Sequence, residues 1–491
     1  MKSPFFNGNN GERPSWTLTI PSHIFSRLHS HLFPGDGDEH GAVIKASVKN
    51  GRSSLQLFAR EVIVARDGVD FVPGTRGYRM LTGEFVTRQI VRSRDEKSVY
   101  LAIHNHGGTD SVGFSRDDLA SQERGYPALL DIADGQPVGA LVFAKNAVAG
   151  RLWLSPDKQI DLLSAKVVGT TVKTLFPSPP LYQGVCDENY DRQARIFGDL
   201  GQYLLSNLRV GVIGAGGVGS LLIEYLARLG VGEIVVADPD RVEITNLPRM
   251  TGSTLWDAKA FLTRAGRPDW MRKLGWRLST PKVKLMKRIV RRANRKTSVI
   301  AIAGDIAEDK IAREFVDCDY LFLAADSFQA RLVFNSIVHG YLIPGVDLGV
   351  KVPVEKETGE VGAIRSVVHP VIPSSGCLLC NGFIPPSRLQ QEMETPEERK
   401  NQRYIDDENV TAPSVITLNA IAASHAVNDF LFTFTGLFEE EGRSYLRYLP
   451  RKRRMQYEAP RKDDSCPHCS ASSHSLFGLA DRAELPTKEV M

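Results

Sequence analysis

The run Gly214-Ala215-Gly216-Gly217-Val218-Gly219 constrains this chain more than any other stretch. It follows a short apolar segment, Arg209 to Ile213, and precedes one whose Leu222, Tyr225, Leu226 and Leu229 fall on a single helical stripe. Glycines between a strand and a helix permit a tight turn and let a phosphate reach the N–H groups at the helix start. Gly214, Gly216, Gly217 and Gly219 are therefore candidate nucleotide-binding residues. The next strand, Gly232 to Asp238, ends in a carboxylate able to accept ribose hydroxyls. Loop and acid together fit NAD and ATP equally, because both nucleotides present phosphate and ribose. Close strand–helix packing without a ligand is the remaining reading.

The alternation continues beyond the loop. Helix signals over 283–292 and 306–315 flank strand signals over 298–302 and 320–325, which predicts a largely parallel sheet covered on both faces. At 491 residues the chain is too long for one ordinary core, so two or three domains are expected. The N-terminal third also reads as α/β: strands over 16–20, 41–48, 54–64 and 99–103, helices over 22–32 and from Arg116, and a hairpin from 140–144 and 151–154. Pro177, Pro179 and Pro180 interrupt regular pairing and mark a boundary. The expected division is a domain at 1–175, a linker at 176–188, a second domain at 189–475 and a poorly ordered tail at 476–491. Within the second domain, 384–412 is polar and precedes a helix over 415–432.

A 42% apolar content excludes a largely disordered chain, and a net charge of +4 without a concentrated basic footprint gives no reason to expect nucleic acid. No run of 18 apolar residues is present and no export signal opens the chain, so a cytoplasmic protein without a membrane partner is expected.

Around the glycine loop stand, in order, Tyr190-Asp191-Arg192-Gln193, Asp238-Pro239-Asp240-Arg241-Val242-Glu243, Asn246-Leu247-Pro248-Arg249, Pro281-Lys282-Val283, and Ala325-Asp326 with Arg331 and Asn335. In these motifs the chain resembles the ThiF/MoeB and ubiquitin-activating-enzyme superfamily. The resemblance implies a Rossmann-type adenylation domain that binds ATP and Mg²⁺, with Asp238 and Asp240 in its nucleotide site. It implies that Arg249 and Lys282 contact the phosphates, that Asn246 supports them, and that Asp326 holds Mg²⁺. It further implies a homodimer in which Arg192 crosses to the partner's nucleotide. Such a set is chemically sufficient: cations must neutralise charge on the α-phosphate and the departing pyrophosphate before a carboxylate can attack. Two departures stand out. Met250 follows Arg249 where relatives carry Gln, and the stretch before Lys282 is long, with Trp256, Trp270 and Trp276, suggesting an added lid or partner surface.

Cys377-Leu378-Leu379-Cys380 and Cys466-Pro467-His468-Cys469 each present two thiols on a tight turn, the arrangement a structural Zn²⁺ uses. Of the two other cysteines, Cys318 reads as a buried small hydrophobe and Cys186 as a possible reactive exception. None lies in 384–412, where thioester-forming relatives often place a nucleophile, so handover to an external thiol or amine acceptor, or to a ubiquitin-conjugating-like protein, is expected.

In the N-terminal third, His104-Asn105-His106 and Ser115-Arg116-Asp117-Asp118 suggest a second metal centre. His104 and His106 share one face of a strand, and a turn could return Asp118 as third ligand. Glu39 would take a proton from bound water and Ser115 would donate to an oxyanion. The pattern resembles the JAB/JAMM (Mov34/MPN) metalloproteases, and implies zinc-dependent peptide or isopeptide cleavage. Together the two resemblances imply an α/β chain: a JAB/JAMM-like domain, then a ThiF/MoeB-like domain that adenylates the C-terminal carboxylate of a ubiquitin-like or sulfur-carrier protein in a bacterial conjugation system. An enzyme that modifies a small ribosomal peptide and a non-catalytic scaffold are the alternatives.

Overall fold

The computed structural model describes residues 15–52, 54–73, 79–180, 187–354, 358, 360–373, 375–393, 413–438, 444–472 and 474–488. Cys186 and most of 384–412 lie outside them. The chain divides into two compact units, one built chiefly from residues 1–183 and the other chiefly from 184–466.

The first unit contains strands β1 (Ser15–Pro21), β2 (Gly41–Asn50), β3 (Leu55–Val64), β4 (Val99–Asn105), β5 (Val138–Phe143), β6 (Val148–Ser155), β7 (Lys158–Val168) and β8 (Val172–Leu175). Their order is β1-β3-β2-β4-β5-β6-β7-β8, and β1 also pairs with β7. That pairing, with Leu18 beside Ala165 and Ile20 beside Val167, closes the sheet into a barrel and leaves β8 as an appended strand. Alternation in Ser-Trp-Thr-Leu-Thr-Ile turns Trp16, Leu18 and Ile20 inward, all of them fully buried. Gly150 is required beside them, because a Cβ there would lie 2.9 Å from the Trp16 ring and 2.7 Å from Leu141. Helix α1 (Ser22–Leu32) joins this cluster through Ile24, Leu28 and Leu32. The opposite sheet face carries a second cluster, to which α2 (Gly83–Asp95) adds Phe85 and Ile90 and α3 (Arg116–Ile132) adds Tyr126 and Leu130.

The closed barrel corrects the JAB/JAMM architecture expected for this region. Alternate histidines followed by a helix specify one strand and one turn, and many topologies satisfy that requirement. The C-terminal stretch also differs from the disordered tail expected. Phe477 and Ala480 are buried, and Ala480–Arg482 forms a 3₁₀ turn.

The second unit holds β9 (Arg209–Ile213), β10 (Glu233–Ala237), β11 (Ser298–Ile302), β12 (Tyr320–Leu323), β13 (Gly345–Lys351), β14 (Arg365–Val371), β15 (Tyr445–Leu449) and β16 (Arg454–Glu458) in the order β11-β10-β9-β12-β13-β14-β15-β16. The first five strands are parallel, and the last three continue the sheet antiparallel. Its helices are α4 (Asp191–Asn207), α5 (Gly217–Leu229), α6 (Ala260–Thr263), α7 (Asp269–Leu278), α8 (Lys282–Ala293), α9 (Asp309–Ala312), α10 (Phe328–Gly340), α11 (Pro386–Met393) and α12 (Ile416–Thr435). Leu222 and Leu226 of α5, Met286 and Val290 of α8, and Phe430 of α12 pack with Val210, Val236 and Phe322 of the strands in one core. This is a Rossmann-like sheet, as the alternating pattern predicted. The helix expected over 306–315 is instead the short α9 followed by a 3₁₀ turn.

Trp16→Ala should destabilise the barrel by about 3–5 kcal/mol, the usual cost of emptying a fully buried aromatic site. The check is a lower urea midpoint for the barrel's near-UV circular dichroism transition.

Candidate functional site

The glycine loop leaves β9 where the crossovers diverge: β10 and β11 lie on one side of β9, and β12 and β13 on the other. The crevice beyond the carboxyl ends of parallel strands at such a reversal is where ligands bind. Gly214 has φ +96°, and a Cβ there would fall 2.9 Å from the backbone of Ala324, just past β12. A Cβ on Gly219 would lie 2.0 Å from the Gly214 carbonyl oxygen. One on Gly217 would meet Asn419 Nδ2 at 2.5 Å and the Arg249 Cβ at 3.6 Å. Gly216 differs, since a Cβ there meets nothing within 4 Å. Three glycines therefore let backbone pack closely, while Gly216 marks the open side from which a phosphate can approach the start of α5.

Asp238, buried at the end of β10, holds this loop in place. Its Oδ2 accepts the Ala215 N–H at 2.7 Å and its Oδ1 accepts the Asp240 N–H at 2.8 Å. Burial raises its pKa above the usual carboxylate range, and the Lys282 charge opposes that rise. The Lys282 ammonium stands 3.6 Å from Asp238 and 2.7 Å from Asp240. A nucleotide phosphate would compete with those carboxylates for it. Asn246 is buried in a reciprocal cap, accepting the Glu243 N–H at 3.1 Å, and its carbonyl accepts the Arg249 N–H at 3.0 Å. That turn sets Arg249 against Gly217. Among the described residues no carboxylate lies within ion-pair distance of the Arg249 guanidinium.

Asp326 is exposed beyond β12, two residues after Ala324 and its contact with the loop. Its carbonyl accepts Arg331 Nη1 at 3.0 Å. Arg331 Nε is in turn 3.5 Å from the buried Asp347, whose other oxygen meets His369 Nδ1 at 3.1 Å. Sequence reasoning missed Asp347 and His369. The available signal was a carboxylate inside the otherwise apolar Gly345–Val350 strand. Arg192 is exposed on α4 and makes no recorded contact with the loop, so nothing within one chain assigns it to this site.

The four motif cysteines converge. Cys377, Cys380, Cys466 and Cys469 offer sulfurs within 4.8 Å of one another, with Cys377 Sγ at 3.6 Å from both Cys380 Sγ and Cys466 Sγ. Zinc–sulfur bonds of ~2.3 Å in a tetrahedron place sulfurs about 3.8 Å apart, so this donor set fits Zn²⁺ with no open position. Cys318 is buried, which pushes its thiol up to about 12 and leaves it without nucleophilic character near neutral pH.

In the barrel, Asp118 reaches both histidines at 3.4 Å, His104 and His106 approach to 3.2 Å, and Glu39 stands 3.7 Å from His106. His104, His106 and Asp118 are spaced as a group able to hold an ion. The groups also satisfy one another: burial resists ionisation of Asp118, yet both imidazoles and Ser115 hold it well below the usual range, while its hydrogen bond raises His106. Burial raises Glu39. Ser115 does not act as a free donor, because it forms the capping box of α3, accepting from the Asp118 N–H at 3.1 Å and donating to the Asp118 carboxylate at 2.8 Å. With the JAB/JAMM fold replaced by a barrel, the metallopeptidase activity, the hydrolase reading and the catalytic zinc expected here lose their basis and are withdrawn.

Known proteins resemble the second unit. A family profile described as "ThiF family" matches residues 190–469. The sulfur carrier protein ThiS adenylyltransferase of Bacillus subtilis is 27% identical over 300 residues, covering 60% of this chain and 75% of that protein. The SAMP-activating enzyme E1 of Haloferax volcanii is 31% identical over 147 residues, covering 30% of this chain and 47% of its own length. The crystal structure of E. coli MccB with ATP superposes with a TM-score of 0.41 at 20% identity, covering 58% and 75% of the two chains. With more than half of its residues matched by that profile, this chain belongs to the ThiF family.

Proposed function

We propose that the second unit, taken as residues 189–475, uses ATP with Mg²⁺ to adenylate the C-terminal carboxylate of a ubiquitin-like or sulfur-carrier protein. The observation that carries this reading is the glycine loop at the strand-order reversal, with the Arg249, Lys282 and Asp326 segments all set against it or against its Asp238 clamp. The names of the ThiS adenylyltransferase and the SAMP-activating E1 support the substrate class.

In the reaction, a carboxylate oxygen of the carrier attacks the α-phosphorus of ATP, the bond to pyrophosphate breaks, and an acyl-adenylate forms. Carboxylate and triphosphate repel each other, so the step needs fixed positive charge where charge gathers. Loop N–H groups hold phosphate, while Arg249 and Lys282 neutralise the α-phosphate and the leaving pyrophosphate. Asp326 would hold Mg²⁺, which would supply further positive charge to the phosphates. Asp238 and Asp240 orient the loop and Lys282. In a homodimer, Arg192 of one protomer reaches the nucleotide of the other. The thiol or amine of an external acceptor or of a conjugating-like protein then attacks the activated carboxyl carbon, the acyl–phosphate bond breaks, and AMP leaves. No helix among the described residues is long and apolar enough to cross a membrane, and we assign the reaction to the cytoplasm, where ATP is abundant. The four-cysteine cluster carries a structural zinc.

ATP–pyrophosphate exchange with a purified sulfur-carrier protein tests the reading. Arg249→Ala and Asp326→Ala should each lower exchange about 10²–10³-fold, the usual loss when one transition-state charge partner is removed. His104→Ala should leave it within about twofold, the range in which no transition-state contact is lost. Exchange unchanged in the first two variants would refute the site. Cys377→Ser together with Cys466→Ser should abolish stoichiometric zinc by elemental analysis and lower the melting temperature. Cys318→Ala should leave exchange unchanged, and the native thiol should resist alkylation at mildly alkaline pH.

A further inference from the structure

Between Arg249 and Lys282 the chain inserts a segment whose apolar side chains are turned outward. Trp256, Trp270 and Trp276 are 67%, 66% and 52% exposed, and Leu255, Phe261, Leu274 and Leu278 are exposed with them. So much exposed apolar surface in one short stretch marks an interaction site.

The surface is held in shape without a partner. Asp257, almost fully buried, accepts Thr254 Oγ1 at 2.7 Å, Thr280 Oγ1 at 3.0 Å and Arg288 Nη2 at 2.7 Å. Burial opposes ionisation of Asp257, but Arg288 and the two hydroxyls outweigh it and hold the acid at about 2. The neighbouring Trp256 ring stacks on Phe261 at 5.7 Å, and Lys259 Nζ lies 4.0 Å from its centroid. A ring fixed as Trp256 is binds without a large ordering cost.

The charge around the rings is predominantly positive. Residues 255–278 contain six Lys and Arg against two Asp, one of them the buried Asp257. Adjoining them, α8 and the turn after it line a groove of about 720 Å³ with Lys284, Lys287, Arg288, Arg291 and Arg292 of the helix and Arg295 beyond it. Arg288 is engaged by Asp257, and among the described residues no carboxylate lies within ion-pair distance of the other five. A second copy of this chain docked through the same surface would bring like charge against like. An interfacial membrane helix segregates its cations from its apolar face. On α7, Trp270, Leu274 and Leu278 share one side, but Trp276 points about 160° away from Leu278 and lies between Arg272 and Lys273 at helical spacing, so one ring stands among the cations. Base stacking needs free ring faces, and Trp256 is already faced by Phe261 and Lys259. Apart from Arg272, which pairs with Asp269, and Arg288, which pairs with Asp257, these cations have no carboxylate within ion-pair distance among the described residues, and apolar anchors among them complement an acidic protein surface that carries its own apolar residues.

The insertion is tied to the nucleotide site. The Thr280 N–H donates to the Asp257 carbonyl, the Val242 N–H to the Thr280 carbonyl, and the Lys282 N–H to the Asp240 carbonyl. We propose that residues 255–278 and the basic face of α8 form the docking surface for an acidic protein, namely the carrier whose C-terminus the adjacent site activates. The carrier's identity as substrate rests on the adenylation reading; the binding chemistry does not.

The test uses the full chain and a fluorescent synthetic peptide alternating Asp and Glu with Leu and Phe, beside the same peptide with Ser at every apolar position. Wild type should prefer the apolar-acidic peptide. The Trp256→Ala/Trp270→Ala/Trp276→Ala variant and a Lys284→Glu/Arg291→Glu variant should each weaken its binding about tenfold or more, with ATP binding retained as the sign of a folded chain. If the triple variant does not fold, Trp270→Ala and the charge variant decide. Equal binding of the two peptides, undiminished binding by the variants, or no binding by wild type overturns the proposal. Tighter binding of oligo(U) RNA or of phosphatidylcholine/phosphatidylglycerol vesicles through the same residues also overturns it. Lost exchange with intact tryptophan-dependent peptide binding defeats the adenylation reading alone, and the converse defeats only the docking surface.

Discussion

The Asp238 carboxylate is the contact on which the second unit's site depends. It is buried at a strand end, where an ionised acid is costly unless hydrogen-bonded. The donors that satisfy it are the Ala215 and Asp240 N–H groups, with the Lys282 ammonium close by. Meeting that cost therefore fixes three things together: the glycine turn, the path of the chain leaving β10, and the placement of a cation beside the loop. Arg249 arrives by a separate device, the Asn246 cap, and the Asp326 backbone by a third, the Arg331–Asp347–His369 chain.

Much of this unit was legible because its signals are local. Short apolar strands alternate with striped helices, and the run 209–213 and the strand 298–302 emerge where the pattern puts them, while the helix expected from Gly219 opens two residues earlier, at Gly217. The cysteine pairs were legible for a related reason, since each CxxC turn brings two sulfurs together by itself. The pairing of Asp347 with His369 was not legible, because only the register of β13 against β14 places them opposite each other.

The barrel shows the limit of such reasoning. His104 and His106 do share a strand face, and α3 does return Asp118 to them, so the local geometry was read correctly. The fold inferred from that spacing was not, because closure depends on β1 pairing with β7 across most of the unit. Nothing in the His-x-His pattern reports on that contact. Chemistry carried over from a motif needs the surrounding topology, and here the same residues are engaged as a helix cap and a histidine–carboxylate cluster.

By itself the sequence determined the glycine turn, the parallel Rossmann-like alternation, the paired cysteine knuckles and the outward tryptophans' place in an added segment. These follow from residues close together in the chain, whose periodicity and backbone freedom act over one or two turns. Tertiary structure alone decided that the first sheet closes on itself, that Lys282 is shared between two carboxylates, and that an apolar and basic surface is hydrogen-bonded through Thr280 to the segment that follows β10. Each of those joins segments distant in sequence, where the loss of chain entropy is offset only by packing and hydrogen bonds that no short pattern encodes.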